Sequence, residues 1–208
     1  MEYNSKNIKK IPVVAISTFG HCGIDWLHSL IDSHKEVLIM QPLSFFRKVD
    51  ILKKKNIYLN NILNINKIVD IFIKETKSKS GIERNQILYN VKNKFNFIKY
   101  INEFLVIERE LKMEKRLFFA IHYAYAKINK INLSKIKVII AHEHAPWNCY
   151  NYQKHFNSRF IFIVRDPRAT IAGSLRGFQR YKNIPTNFPF DINLSFMLSA
   201  QEFCQKTS

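Results

Sequence analysis

The sequence predicts an α/β fold, a three-layer sandwich around a central, mostly parallel sheet. Three observations carry that expectation. Val13 to Ser17 is a short β-branched run that passes through a glycine-bearing turn into a helical pattern. Similar short apolar runs return at Glu36 to Met40, Lys137 to Ala141 and Arg159 to Val164, and a long stretch of helical periodicity lies between the second and the third. With 208 residues and 47% hydrophobic content the chain can bury one substantial core, so residues 1–208 are expected to form one domain.

Met1 to Lys10 is polar and reads as a mobile lead-in, with the first strand beginning at about Pro12. Thr18 to Gly23 is the turn, and from Ile24 onward Trp26, Leu27, Leu30 and Ile31 have helical spacing. Asp32-Ser33-His34 supplies turn chemistry before Glu36 to Met40, which predicts a β-α-β unit with a parallel crossover. Gln41 to Phe46 then leaves the sheet. From Arg47 to Asn132 (47–132, a helical insertion) three stripes recur: Ile62, Ile65, Val69 and Phe72; Ile87, Leu88, Val91, Phe95, Ile98 and Leu105; and Leu117, Ile121, Ala124 and Ile128. Ser78 to Gly81 reads as a loop between helices, and Lys53-Lys54-Lys55 as a solvated face.

The sheet resumes at Lys137 to Ala141, which runs into His142-Glu143-His144-Ala145-Pro146. Arg159 to Val164 ends in Arg165-Asp166-Pro167; Asp166 suits an N-cap and Pro167 a first helical position, so Arg168 to Phe178 is expected to be a helix. Tyr181 to Pro189 is loop-like, and a helix is expected from about Ile192 to Gln205. No closing strand follows, which fits a truncated or minimal domain.

No window has the apolar length of a membrane span, and the basic start lacks the apolar core of a signal peptide, so the expected location is cytoplasmic. Cys22, Cys149 and Cys204 are odd in number and without C-x-x-C spacing, which fits reduced thiols. The formal charge of +17 invites polyanions or phosphate-bearing cofactors without choosing among them. Part of it follows a lysine, asparagine and isoleucine bias.

A loop entering a helix, as Thr18 to Gly23 does, aims unpaired backbone N–H groups and the positive end of the helix dipole at one spot, which prefers a phosphate or sulfate. Gly20 and Gly23 permit positive φ and close approach of a ligand to the backbone. The same pattern also occurs where nothing binds.

Two stretches, GHCGIDWLHSLIDSH and RFIFIVRDPRATIAGS, resemble the two cofactor motifs of the PAPS-dependent sulfotransferases. The resemblance covers roughly Ile11 to Phe46 and Lys137 to Phe178. It implies a P-loop NTPase-like sheet that binds PAPS (3′-phosphoadenosine 5′-phosphosulfate) and transfers its sulfuryl group to a hydroxyl-bearing acceptor. In that family a Lys/Arg-Ser-Gly-Thr-Thr-Trp-Leu loop wraps the 5′-phosphosulfate. Matched through Gly23, Trp26 and Leu27, it sets His21 at the basic position, Cys22 at the serine, and Ile24 and Asp25 at the threonines, with Phe19 and Gly20 leading in. The second motif, a strand ending in Arg-Asp/Asn-Pro before a serine-bearing helix, binds the 3′-phosphate. Arg165 fits it; Gly173 stands where the serine falls, so Ser174 serves only if the helix shifts by one residue. A Lys-Thr-His-x-Pro-like segment supplies the family's base, which puts His144 at the base and His142 at the lysine, with Glu143 as the fallback. Strand alternation sets His142 and His144 on one face and Glu143 on the other.

Other readings stay open. The histidines could be hydrogen-bonded edge residues, Arg165-Asp166 a turn ion pair, and Trp26 and Trp147 core. His21, Cys22, His142 and His144 have donors that suit zinc, but no close cysteine pair accompanies them and no metal is expected. A P-loop-like nucleotide binder or kinase would use the same first loop, although the Gly-Lys-Ser/Thr ending is missing. A non-enzymatic polyanion binder would use the charge, although no RNA-binding signature or helix-turn-helix is present and no specific nucleic acid is expected.

Overall fold

The computed structural model describes residues 8–18, 22–32, 34–40, 44–58, 62–74, 91–143, 146–166 and 168–173. Among them four strands, β1 (Val13–Thr18), β2 (Val37–Ile39), β3 (Val138–Glu143) and β4 (Arg159–Ile163), build one sheet in the order β2-β3-β1-β4. Every neighbouring pair is parallel. The helices are α1 (Ile24–Ile31), α2 (Phe45–Lys54), α3 (Ile62–Lys74), α4 (Val91–Ile107), α5 (Met113–Ile128), α6 (Cys149–Phe156) and α7 (168–173). The β1-α1-β2 unit is thus parallel as expected, but β1 and β2 are not neighbours, because β3 lies between them.

Alternation along the strands divides the core in two. Ile16, Ile39 and Ile140 point to one face and pack with Ile24 of α1. Val13, Ala15, Leu38, Ile139 and Ala141 point to the other and meet α2 to α6. The second layer is thick and aromatic: Phe45 packs on Phe118 with ring centroids 5.2 Å apart, and Phe118 on Phe156 at 4.5 Å. Helix α5 is its centre. Leu117 to Ala124 are all buried, so this helix is covered nearly all round, whereas Leu117, Ile121, Ala124 and Ile128 marked one stripe only.

Packing moved other expectations. The lead-in is fixed from Ile8 onward: Ile8 is fully buried in the main cluster, and Lys9 makes an ion pair with Glu108. In α4 the buried ridge is Phe97, Ile101, Phe104 and Leu105, while Phe95 is exposed and lines, with Ile98, Val106 and Ile107, a groove of about 780 Å³. In α1, Ile24 and His28 are buried and Trp26 and Leu30 exposed, so Trp26 is not core; Trp147 is also exposed. At 100° per residue Ile24, Leu27, His28 and Ile31 share an arc and Trp26 and Leu30 lie opposite, and a single helix on a sheet buries one arc. The expected loop at Ser78 to Gly81, Ile87 and Leu88, the tail loop and the helix from Ile192 lie outside the described residues. No helix among the described residues is long and apolar enough to cross a membrane.

Two predictions follow from this core. Ile8→Ala should cost about 2–5 kcal/mol in urea unfolding, the range for emptying a buried isoleucine site, whereas a mobile lead-in would make it neutral. His122 is buried at the centre of α5, where its Nδ1 lies 2.8 Å from the Phe118 carbonyl, and burial pushes its pKa down to about 4. The folded state therefore binds the proton less readily than the unfolded chain, so stability is full above the unfolded value near 6.5 and falls as pH drops toward 4. The loss should reach about 3 kcal/mol. Urea unfolding at pH 7 and 5 should show a fall that His122→Leu reduces; an unchanged slope in the variant would exclude His122 as its source.

Candidate functional site

Because the strands are parallel, their carboxyl ends share one edge. The connections leaving two adjacent strands there diverge: β1 feeds α1 on the thin face, and β3 feeds α6 on the aromatic face. Such a divergence opens a crevice at the strand ends, where open α/β sheets bind ligands.

The ladder then determines which residues border it. Ser17 pairs with Glu143 and Thr18 with Ile163, so β1 ends between the ends of β3 and β4. Ser17 Oγ donates to the Glu143 carbonyl at 2.8 Å and Thr18 Oγ1 to the Ile163 carbonyl at 3.2 Å, which ties the three strand ends together. Gly23 caps α1 with φ 93°, a left-handed conformation, and the Leu27 N–H reaches its carbonyl at 3.0 Å. Cys22, buried, lies with Sγ 3.3 Å from Thr170 Oγ1 and so ties the first loop to α7.

Of the residues expected at the site, Cys22, Gly23, Ile24, Asp25 and Trp26 stand at the start of α1. Ile24 is buried in the small core, Asp25 is half exposed, and Trp26 is exposed at 69%. Arg165, exposed, follows β4 by two residues, and Gly173 is the last described residue of α7. Phe19, Gly20, His21, His144 and Ser174 lie outside the described residues. His142 belongs to β3 itself, which runs two residues further than Lys137 to Ala141 suggested. Its side chain is fully buried on the α1 face, with Nδ1 2.9 Å from His28 Nδ1 and Nε2 3.7 Å from Asp25 Oδ1. Glu143 is fully buried on the opposite face, near Tyr152, whose hydroxyl burial and the Glu143 charge push well above the usual phenol range.

After β4 the turn ties Asp166 to Arg168, and the Arg165 charge acts on Asp166 as well. Asp166 accepts from the Arg168 N–H at 2.8 Å and from its Nη2 at 2.7 Å, and its own carbonyl accepts from Thr170 N. It is the N-cap of α7, and its bonds to Arg168 hold its carboxyl below the usual range.

His28 and Thr170 had no place in the motif reading. His28 carried a signal all the same, since it stands one turn after Ile24 on the arc that faces the sheet. Thr170 carried none, because its contact with Cys22 spans 148 positions.

Among the described residues no group of three or more histidine, cysteine or acidic side chains could hold a metal ion. Compared with known proteins, the chain matches no family model, no curated protein and no solved structure.

The left-handed cap is testable. Nothing lies within 4 Å of where a Gly23 Cβ would stand, so Gly23→Ala meets backbone strain alone. A loss of about 1–2 kcal/mol is expected in urea unfolding, and a smaller one for Gly23→Asn, which tolerates that conformation. Equal losses would mean that φ is not the constraint.

Proposed function

We propose that the protein is a sulfotransferase that moves the sulfuryl group of PAPS to the hydroxyl of an acceptor, and that it acts in the cytoplasm. One observation carries the reading: Thr18 pairs with Ile163, so the end of β1, which leads to α1, and an arginine two residues past β4 lie at the same edge of the sheet. A ligand with a charged group at each end of a nucleoside would use both. The N–H groups at the start of α1 would take its 5′ end, with Cys22 and Gly23 shaping the approach, and Arg165 the 3′-phosphate through paired charge-assisted bonds. The GHCGIDWLHSLIDSH and RFIFIVRDPRATIAGS resemblance supports the same assignment.

In the reaction an acceptor oxygen forms a bond to sulfur as the bond from sulfur to the bridging phosphate oxygen breaks. The acceptor's proton passes to His144 as base, and adenosine 3′,5′-bisphosphate leaves. Charge that develops on the bridging oxygen would be stabilised by backbone N–H groups of the first loop, and by His21 or His142 where the family has a lysine.

Arg165→Ala should weaken adenosine 3′,5′-bisphosphate by about 1.5–3 kcal/mol, some ten- to hundredfold, in isothermal titration. An analogue without the 3′-phosphate should hardly be affected. Equal losses for both ligands would make Arg165 structural. Stabilisation in a thermal-shift titration by ATP with magnesium, and none by the bisphosphate, would overturn the reading in favour of a nucleotide binder or kinase.

A further inference from the structure

Two imidazoles meet beneath α1. The Nδ1 atoms of His28 and His142 are 2.9 Å apart, with ring centroids at 5.1 Å and planes tilted by 51°. Both residues are buried, at 8% and 3% exposure, next to the apolar cluster of Ile16, Ile24, Ile39 and Ile140. Facing ring nitrogens at that distance need one hydrogen between them. Two lone pairs would repel and two N–H groups would collide, so one ring donates and the other accepts.

The neighbouring carboxylate breaks the tie. Asp25 Oδ1 stands 3.7 Å from His142 Nε2, the ring nitrogen that does not meet His28. A carboxylate favours a hydrogen on the nitrogen it faces, so His142 carries Nε2–H. In the neutral pair its Nδ1 then accepts from His28 Nδ1–H. One further proton can enter, on His28 Nε2, or equivalently leave the shared hydrogen on His142. A second cannot, because both Nδ1 atoms would then be donors.

The charged groups that act on His28 are Asp32 and Asp25, both raising its affinity for a proton against the larger, opposing effect of burial. From the sheet side the ring of His142 has Ile16 as its register partner on β1, which carries no charge.

We propose that Asp25, His142 and His28 act as one linked chain: a hydrogen bond joins the two rings, and the Asp25 carboxylate, 3.7 Å from His142 Nε2 and too far for a hydrogen bond, acts on that ring through its charge. Asp25 favours Nε2–H on His142, and His28, as a positioning residue, limits the two rings to a single positive charge, held under the first turn of α1. Where the family pattern has a permanent lysine cation, this chain has a pair that is neutral or singly charged. The part of the proposal that concerns a bound anion rests on the function proposed above.

Ring ¹⁵N spectra of the ligand-free full chain, recorded between about pH 5 and 8.5, test the chain itself. The wild-type pair should take up one proton, with Nε2–H on His142 throughout. His28→Asn should free His142 to become a full imidazolium by itself, and Asp25→Asn, at a half-exposed site, should raise its Nδ1–H tautomer. Two rings that each become imidazolium in the native wild type, or a His142 tautomer unmoved by Asp25→Asn, would overturn the proposal; the second arm holds even if His28→Asn does not fold. Inorganic sulfate, which does not titrate in this range, should shift the pair's titration upward, and by linkage its affinity should fall by up to about tenfold per pH unit between the free and the sulfate-bound midpoints. No shift on saturation with sulfate would remove the role in anion binding. Failure of the wild type to bind adenosine 3′,5′-bisphosphate at any pH would instead overturn the proposed function, and the ring assignments would still decide the chain.

Discussion

A strand in a parallel sheet delivers its carboxyl end to the same edge as its neighbours, and β1 is the interior strand on which this arrangement depends. Both neighbours reach it from far along the chain: Ser17 bonds to Glu143 across 126 positions and Thr18 to Ile163 across 145. Contacts of such range carry a large loop-closure cost unless the intervening chain is already compact. The aromatic layer supplies that compactness, because α2 to α6 are packed around Phe118 and α5. Site geometry is therefore a product of helix packing on a face of the sheet that the first loop does not use.

The two faces are unequal, and the inequality bears on α1. On the aromatic side many elements share each buried residue, so a single contact is one of many. On the other side four buried isoleucines hold α1 together with the two imidazoles. Burying polar rings is unfavourable unless their nitrogens are bonded, and the 2.9 Å contact removes much of that penalty while making α1's seat directional. An apolar pair would hold the helix as well, but could not carry a proton.

Much of this was legible from local pattern. The strand cores at Val13 to Ser17, Glu36 to Met40, Lys137 to Ala141 and Arg159 to Val164 were legible because short β-branched runs between turn residues have few other uses. Asp166 as a helix cap was legible for the same local reason. Strand order was not, since β3 enters between β1 and β2 from beyond the helical layer. Nor was the facing of α1 and α4: both carry apolar residues on two arcs, and only the neighbour decides which arc is buried. Trp26 and Phe95 lost that competition to His28 and Phe97, a histidine and a ring of equal hydrophobicity. The motif resemblance drew the eye to Trp26 for the same reason that hid His28, because it compares residues along the chain and not around the helix.

Charge at the crevice obeys a different balance from charge on the whole chain. The formal +17 is distributed over lysines of many elements, several of them paired at a distance from this edge, as Lys127 is with Glu103 and Lys94 with Asp70. Where α1 and α7 begin, Arg165 and Arg168 stand against Asp25 and Asp166, two cations against two anions. Asp166 is held by Arg168 and the start of α7 and also feels the charge of Arg165. Asp25 is drawn toward His142. One proton on the proposed His28 and His142 pair would change the charge at this edge by one unit. In the proposed function the pH-dependent part of the potential offered to an anion then comes from two buried rings, and the lysines that dominate the composition do not supply it.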